Sequence, residues 1–199
     1  MRRHTLVAVK AIAFAALFAP LSAHAAAPRE GSAIRIPSIL VVDRKLASPQ
    51  AGLSDLKFQD VFKLPVGPKG LEPTPRLLEL DGKRVRIVGY MVQQETPAID
   101  EFLFAPLPVQ LGDEDESLAD DLPPSTIRIE LPTSHGLVVP GLSGLLQLTG
   151  VLHVGMRADA TSGRSTPARL VLDAKPERAL RRLASAASMP AAGNPRKSR

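Results

Sequence analysis

The alternation of apolar and polar residues is clearest in the stretch RVRIVGYMV, residues 84–92, which follows an Asp-Gly turn. Side chains of a strand alternate between two faces, so the first half of this stretch has one apolar face and the second half is apolar on both faces. Gly89 lies where the pattern changes. The stretch therefore predicts a strand that bends or bulges at Gly89 and contributes to two parts of its sheet. An ordinary sandwich strand with an incidental glycine is the alternative.

The same pattern predicts four further strands, at residues 101–106, 126–131, 145–154 and 169–173. The strand at 126–131 is expected to have one wet face, because Arg128 and Glu130 alternate with apolar residues. Five strands, two of them long with a glycine near the middle, and no strong helix between them predict an all-β fold. We expect a small five-stranded OB-like barrel with short flanking helices.

The segments around these strands have weaker patterns. Residues 53–64 have irregular helical spacing, which predicts either a short helix or a segment that covers one open end of the barrel. Residues 65–80 are rich in Pro and Gly and are expected to form a loop. A short helix is expected at Glu177–Ser188, followed by a disordered basic tail.

The N-terminus has the organisation of a secretory signal peptide. Three basic residues precede a short apolar run, and Ala23-His24-Ala25 is a small-x-small cleavage site. We therefore expect residues 1–25 to be removed, the protein to be periplasmic or secreted, and no integral membrane segment to remain. The predicted organisation is a signal peptide (1–25), an extended leader (26–52), an OB-like domain (53–174) and a short helix with a basic tail (175–199).

Composition and charge narrow the function classes. The chain has no Cys, which excludes disulfides and thiolate chemistry, and with no Trp and one Tyr its core must be aliphatic. The net charge is +5, but residues 175–199 carry seven basic side chains against one acidic one. Residues 26–174 are net acidic, which argues against a nucleic-acid-binding groove.

The strongest polar cluster is the predicted loop GDEDESLADD, residues 112–121. Carboxylates suit a divalent cation such as calcium, and the candidate ligands are Asp113, Asp115, Asp120 and Asp121. The spacing is not that of an EF-hand, and a solvated loop is the alternative interpretation. We expect no other cofactor.

Two further groups of residues are candidates for function. His135 together with the acidic loop 113–121 would suit a metal-dependent or carboxylate-dependent hydrolase, although His135 and His153 lack the spacing of a metal motif. The outward side chains of the predicted strands could form a contact surface or be solvated individually; they are Arg84, Arg86, Arg128 and Tyr90.

Four stretches, LDGKRVRIVGYMV, EFLFAPLP, DLPPSTIRIELP and LLQLTGVLHVG, together resemble an uncharacterised family of exported bacterial proteins, a domain of unknown function with an OB-like fold. The specific part is L-D-G-K-x-V-R-I-x-G-[FY]-M-V. Many members carry a Cys and a His in the loop that here reads PLPVQLGDEDESL, so that metal site is not expected. The resemblance implies an exported, small β-barrel protein and no known reaction, and relatives often occur beside transport components for metals or lipoproteins. Our leading expectation is a non-enzymatic binding or accessory protein of the periplasm, associated with an envelope complex such as a metal or lipoprotein transport system.

Overall fold

Six strands and two α-helices make up the described part of the chain. The computed structural model describes residues 35–42, 46–94, 96–111, 122–133, 135–158 and 164–188. The elements are β1 (Ser54–Leu56), a 3-10 turn (Phe58–Asp60), α1 (Pro75–Glu79), β2 (Arg84–Met91), β3 (Glu101–Ala105), β4 (Ile127–Glu130), β5 (Leu146–Ala158), β6 (Ser165–Leu172) and α2 (Ala174–Ser188). The fold is mostly β, as expected from the alternating pattern.

The strands form one mixed sheet in the order β1-β2-β3-β4-β6-β5. The pairs β1–β2 and β4–β6 are parallel, and the other pairs are antiparallel. A further pairing joins β2 to β5. Because of this pairing, β2, β3, β4, β6 and β5 follow one another in a closed ring of hydrogen-bonded neighbours, with β1 added beside β2.

Strand β2 changes its partner at Gly89. Its residues Arg84–Gly89 pair with β5 in uninterrupted register, whereas Tyr90 and Met91 pair with β3. The prediction that this strand contributes to two parts of its sheet is confirmed. The need for glycine is one of space: a Cβ at Gly89 would lie 2.6 Å from the carbonyl oxygen of Ala105 and 2.6 Å from a ring carbon of Phe58. The uninterrupted register with β5 contains no bulge, and the bend that we expected at Gly89 stays a prediction.

Strand β5 contains the second glycine of this kind. Residues 146–151 of β5 pair with β2, and residues 150–158 pair with β6, so the change of partner falls at Gly150. A Cβ there would lie 2.9 Å from the carbonyl carbon of Val171 and would meet the carbonyl oxygen of that residue more closely still. The two long strands thus use glycine in the same way, where a third strand comes closest.

The core is aliphatic, as the composition predicts. The inward residues of β2, β4, β5 and β6 are mainly Val, Ile, Leu and Ala, with Met91 at the end of β2. Phe102 and Phe104 of β3 add two rings in an edge-to-face contact. Helix α2 covers part of this core with Ala179, Leu180 and Leu183. Each large side chain buried in this way stabilises the fold by about 1.5–3 kcal/mol.

The segment before β2 differs from our expectations. Residues 53–64 contain β1 and the 3-10 turn in place of a helix, which brings the number of strands to six. The predicted loop 65–80 contains α1, which starts because the Thr74 hydroxyl accepts a hydrogen bond from the Leu77 N–H at 3.0 Å and proline occupies the first turn.

The later elements occur where predicted, with different bounds. Strands β5 and β6 extend beyond the predicted segments, and α2 begins three residues before Glu177. The prediction of a wet face for β4 is wrong at Arg128, which is buried. In the leader, Val41 forms a single bridge with Leu146. The signal peptide and the last eleven residues lie outside the described residues.

Candidate functional site

The arginine of β2 that we expected in a contact surface is buried against β1. Arg86 is 8% exposed. Its guanidinium binds both oxygens of Asp55, with Nε–Oδ1 and Nη2–Oδ2 distances of 2.7 and 2.9 Å. It also donates to the carbonyl oxygen of Ala47 at 2.9 Å. Arg86 therefore ties β1 and the chain before it to β2.

The corresponding arginine of β4 is held in the same manner by β3. Arg128 is 5% exposed, and its Nη1 lies 2.5 Å from Oε1 of Glu101. Glu101 lies directly opposite Glu130, which would place two like charges side by side. Glu130 is neutralised by Arg169 of β6, at 2.7 Å. The ion pairs Arg128–Glu101 and Arg169–Glu130 therefore join the outer faces of β3, β4 and β6.

Arg84 lies at the start of β2 and is half exposed. Its guanidinium binds Oδ2 of Asp173, with an Nη2–Oδ2 distance of 2.7 Å. Burial of Asp173 opposes the charged form, but hydrogen bonds from Arg84 and Thr149, together with the charge of Arg84, outweigh it and lower the pKa of Asp173 below its ordinary value. The same hydrogen bond and charge raise the pKa of Arg84. This pair joins the start of β2 to the residue that precedes α2.

Two of the three arginines in the expected outward patch are therefore not solvated. Arg86 and Arg128 are buried because each has a carboxylate on the neighbouring strand, which alternation along one strand cannot reveal. Tyr90 is half-buried and lies opposite Ala105 of β3. The role of these residues, including Arg84, in contacting a partner stays a prediction.

The acidic loop lies outside the described residues, and with it Asp113, Asp115, Asp120 and Asp121. His135 is exposed, beside Gly136, whose N–H donates to the Asp100 carboxylate at 2.8 Å. His153 lies on the outer face of β5, opposite Arg169. Within the described ranges, no three His, Asp or Glu side chains are close enough to hold a metal ion. The cation site and the hydrolase that would use it stay predictions.

A surface hollow of about 30 Å³ lies beside the end of β2 and the start of β3, lined by Gln93, Phe102 and Gly141 among others. Pockets for small molecules usually enclose about 300–1,000 Å³. This hollow therefore has room for a water molecule and not for a metabolite.

The loop before α1 contains an apolar hairpin that the sequence reasoning missed. At its base the Lys63 N–H donates to the Glu72 carbonyl oxygen at 2.9 Å, and the two side chains form an ion pair at 3.0 Å. At its tip Gly70 bonds back to Gly67. All residues between Leu64 and Leu71 are exposed. We call residues 63–72 the arm. Its apolar sequence LPVGPKGL is the feature from which an exposed apolar segment could have been predicted.

Comparison with known proteins identifies a structural neighbour but no matching sequence. No family profile matches the chain, and no curated protein matches it. A crystal structure of a DUF3299 family protein from Pseudomonas aeruginosa PAO1 is similar, with 11% sequence identity and a TM-score of 0.40. The match covers 60% of this chain and 92% of the other. Neither helix of the described segments has the length and apolar character needed to cross a membrane.

Proposed function

We propose that this chain is an exported periplasmic binding or accessory protein, built on a small OB-like barrel, that contacts a protein of the cell envelope through the arm. Residues 1–25, with their basic start, apolar run and cleavage site, support export. The closed ring of pairings β2-β3-β4-β6-β5 supports the barrel, because it uses five strands with a non-sequential order, as a Greek-key barrel of the OB type does.

The observation that carries the proposal is the exposed apolar surface of the arm. Leu64, Val66 and Leu71 of the arm are 75%, 53% and 43% exposed. Leu78 of the adjoining α1 is 55% exposed and adds to the apolar surface of the same part of the chain. Lys69 is the one residue between Leu64 and Leu71 with a polar side chain. Contiguous apolar surface with a polar rim marks an interaction site more often than a free surface.

A protein groove suits the arm better than the interior of a lipid bilayer. The described backbone hydrogen bonds within the arm are those of Lys63 with Glu72 and of Gly70 with Gly67. The remaining backbone N–H and C=O groups need partners, and leaving each of them unpaired in hydrocarbon would cost several kcal/mol. A groove on a protein can supply these partners together with an apolar surface. The charge of Lys69 favours a carboxylate at the rim of that groove.

Site-specific photocrosslinking in the periplasm of producing cells tests this proposal. A photoreactive side chain at Val66 should capture one envelope protein, and L64S/L71S should abolish that product. Met156 is 70% exposed on β5 and serves as the matched apolar control position, which should give no such product.

The state of the chain in the same cells tests export. The periplasmic protein should begin at Ala26. An uncleaved chain in the cytoplasm, or the same products from Val66 and Met156, would contradict the proposal.

A further inference from the structure

The outward face of α2 carries cations that no described carboxylate neutralises. Lys175, Arg178 and Arg182 are exposed and follow one another at spacings of three and four residues, so they lie along one face of the helix. The ion pairs among the described residues include none of them, whereas Arg181 pairs with Glu177 at 3.2 Å. We call Lys175, Arg178 and Arg182 the basic stripe.

The other face of α2 is committed to the body of the protein. Leu180 and Leu183 are buried in the core. The carboxylate of Glu177, 1% exposed, accepts hydrogen bonds from the N–H and the hydroxyl of Thr133 at 2.9 and 2.6 Å. These contacts fix the rotation of the helix about its axis, so the basic stripe is held facing outward.

The excess of basic residues at α2 continues towards the C-terminus in the sequence. Beyond the basic stripe, the C-terminal residues include Arg196, Lys197 and Arg199, and the seven basic side chains of residues 175–199 face one acidic side chain in sequence. Clusters of four to eight basic residues on or beside an amphipathic helix are typical of binding to anionic lipid headgroups. Residues 26–174 are net acidic, so this attraction belongs to the C-terminal segment.

We infer that the basic stripe binds the surface of membranes that contain anionic phospholipids. The binding is electrostatic and superficial, because an interfacial helix inserts through a free apolar face and the apolar face of α2 is buried in the core. This inference is independent of the proposed contact between the arm and a protein.

Sedimentation with phospholipid vesicles tests the inference. The chain from Ala26 onwards is used, since it retains all of the residues that the structure describes. It should bind vesicles of phosphatidylglycerol and phosphatidylcholine at low salt, bind phosphatidylcholine vesicles far less, and dissociate at high salt. Each charge near the surface contributes about a fivefold change in affinity, so K175Q/R178Q/R182Q should weaken binding about one hundredfold.

The matched control removes three exposed cations elsewhere, in K57Q/R76Q/K83Q, and should change binding at most a few-fold. Equal losses in the two variants would show that net charge, and not the basic stripe, governs binding, and would overturn the inference. Absence of binding by the unaltered chain at low salt would overturn it too. Neither result changes the expected photocrosslinking at Val66, so this inference and the proposed function fail separately.

Discussion

Two groups of basic side chains look alike in the sequence and differ in the structure. Arg86 and Arg128 lie on the sheet, are less than a tenth exposed, and each binds a carboxylate of a neighbouring strand. The basic stripe on α2 is exposed and has no carboxylate partner among the described residues. A basic side chain contributes to the stability of the fold where a neighbouring strand supplies a carboxylate within ion-pairing distance. A basic side chain without such a carboxylate is available to an external partner.

Replacement of Arg128 should cause the largest loss in the free energy of unfolding. R128A would leave Glu101 partly buried and beside Glu130, at a cost of about 3 kcal/mol in the free energy of unfolding. Urea unfolding measures this loss. The double variant R128M/E101L, which removes both charges, should recover much of the stability. A loss below about 0.5 kcal/mol for R128A, the size usual at exposed surface positions, would show that the pair is not structural.

Replacement of Arg86 should have a smaller effect, because the side chain of its partner Asp55 is 39% exposed and can be rehydrated. R86A should lower the free energy of unfolding by about 2 kcal/mol, the scale of hydrogen bonds to charged groups. R86K keeps the charge but not the bidentate geometry, and should recover part of the loss at most. Full stability of R86K in urea unfolding would contradict the role given to the paired hydrogen bonds.

Replacement of Asp173 should lower the free energy of unfolding by a still smaller amount, and this amount should depend on pH. Because its folded pKa lies below the ordinary value of 3.8, the carboxylate contributes stability above that value and loses it as the pH falls through the lower folded pKa. Arg84 is half exposed, so solvent screening limits the contribution to about 0.5–1 kcal/mol. D173N should therefore differ from the unaltered protein at pH 6 and converge with it in strong acid. A difference that persists unchanged at low pH would contradict this account.

The smallest effects on folding are expected at the two contact surfaces. R178Q and R182Q in the basic stripe, and V66S in the arm, change exposed side chains outside the core. Each should alter the free energy of unfolding by less than about 0.5 kcal/mol. Thermal unfolding of the three variants checks this. A large loss of stability in any of them would mean that the residue is part of the folded body and not a free contact residue.

The sequence alone predicted those elements whose signal is local. The period-two pattern of β2 and β5 predicted which side chains face the core, because the burial of a strand face depends on alternation within the strand. The change of partner at Gly89 was visible as a change of pattern. The helix expected at Glu177–Ser188 makes up most of α2. These features required no knowledge of other strands.

The features that the sequence did not reveal depend on residues far apart in the chain. Strand β1 has three residues, too few for a periodic pattern, and exists through its parallel pairing with β2. The burial of Arg128 depends on Glu101, which lies on another strand. The arm was expected to be a loop because Pro and Gly dominate it, and its hairpin depends on the hydrogen bond between Lys63 and Glu72, nine residues apart.

The most direct test of the central claim is a comparison of two variants that remove the same charge, R86Q/R128Q and R178Q/R182Q. Urea unfolding of both, beside the unaltered protein, measures the role of each pair of residues in the fold. The account predicts a loss of several kcal/mol for R86Q/R128Q, which breaks two buried pairs, and less than about 1 kcal/mol for R178Q/R182Q. Equal losses in the two variants would contradict the division into structural and free cations.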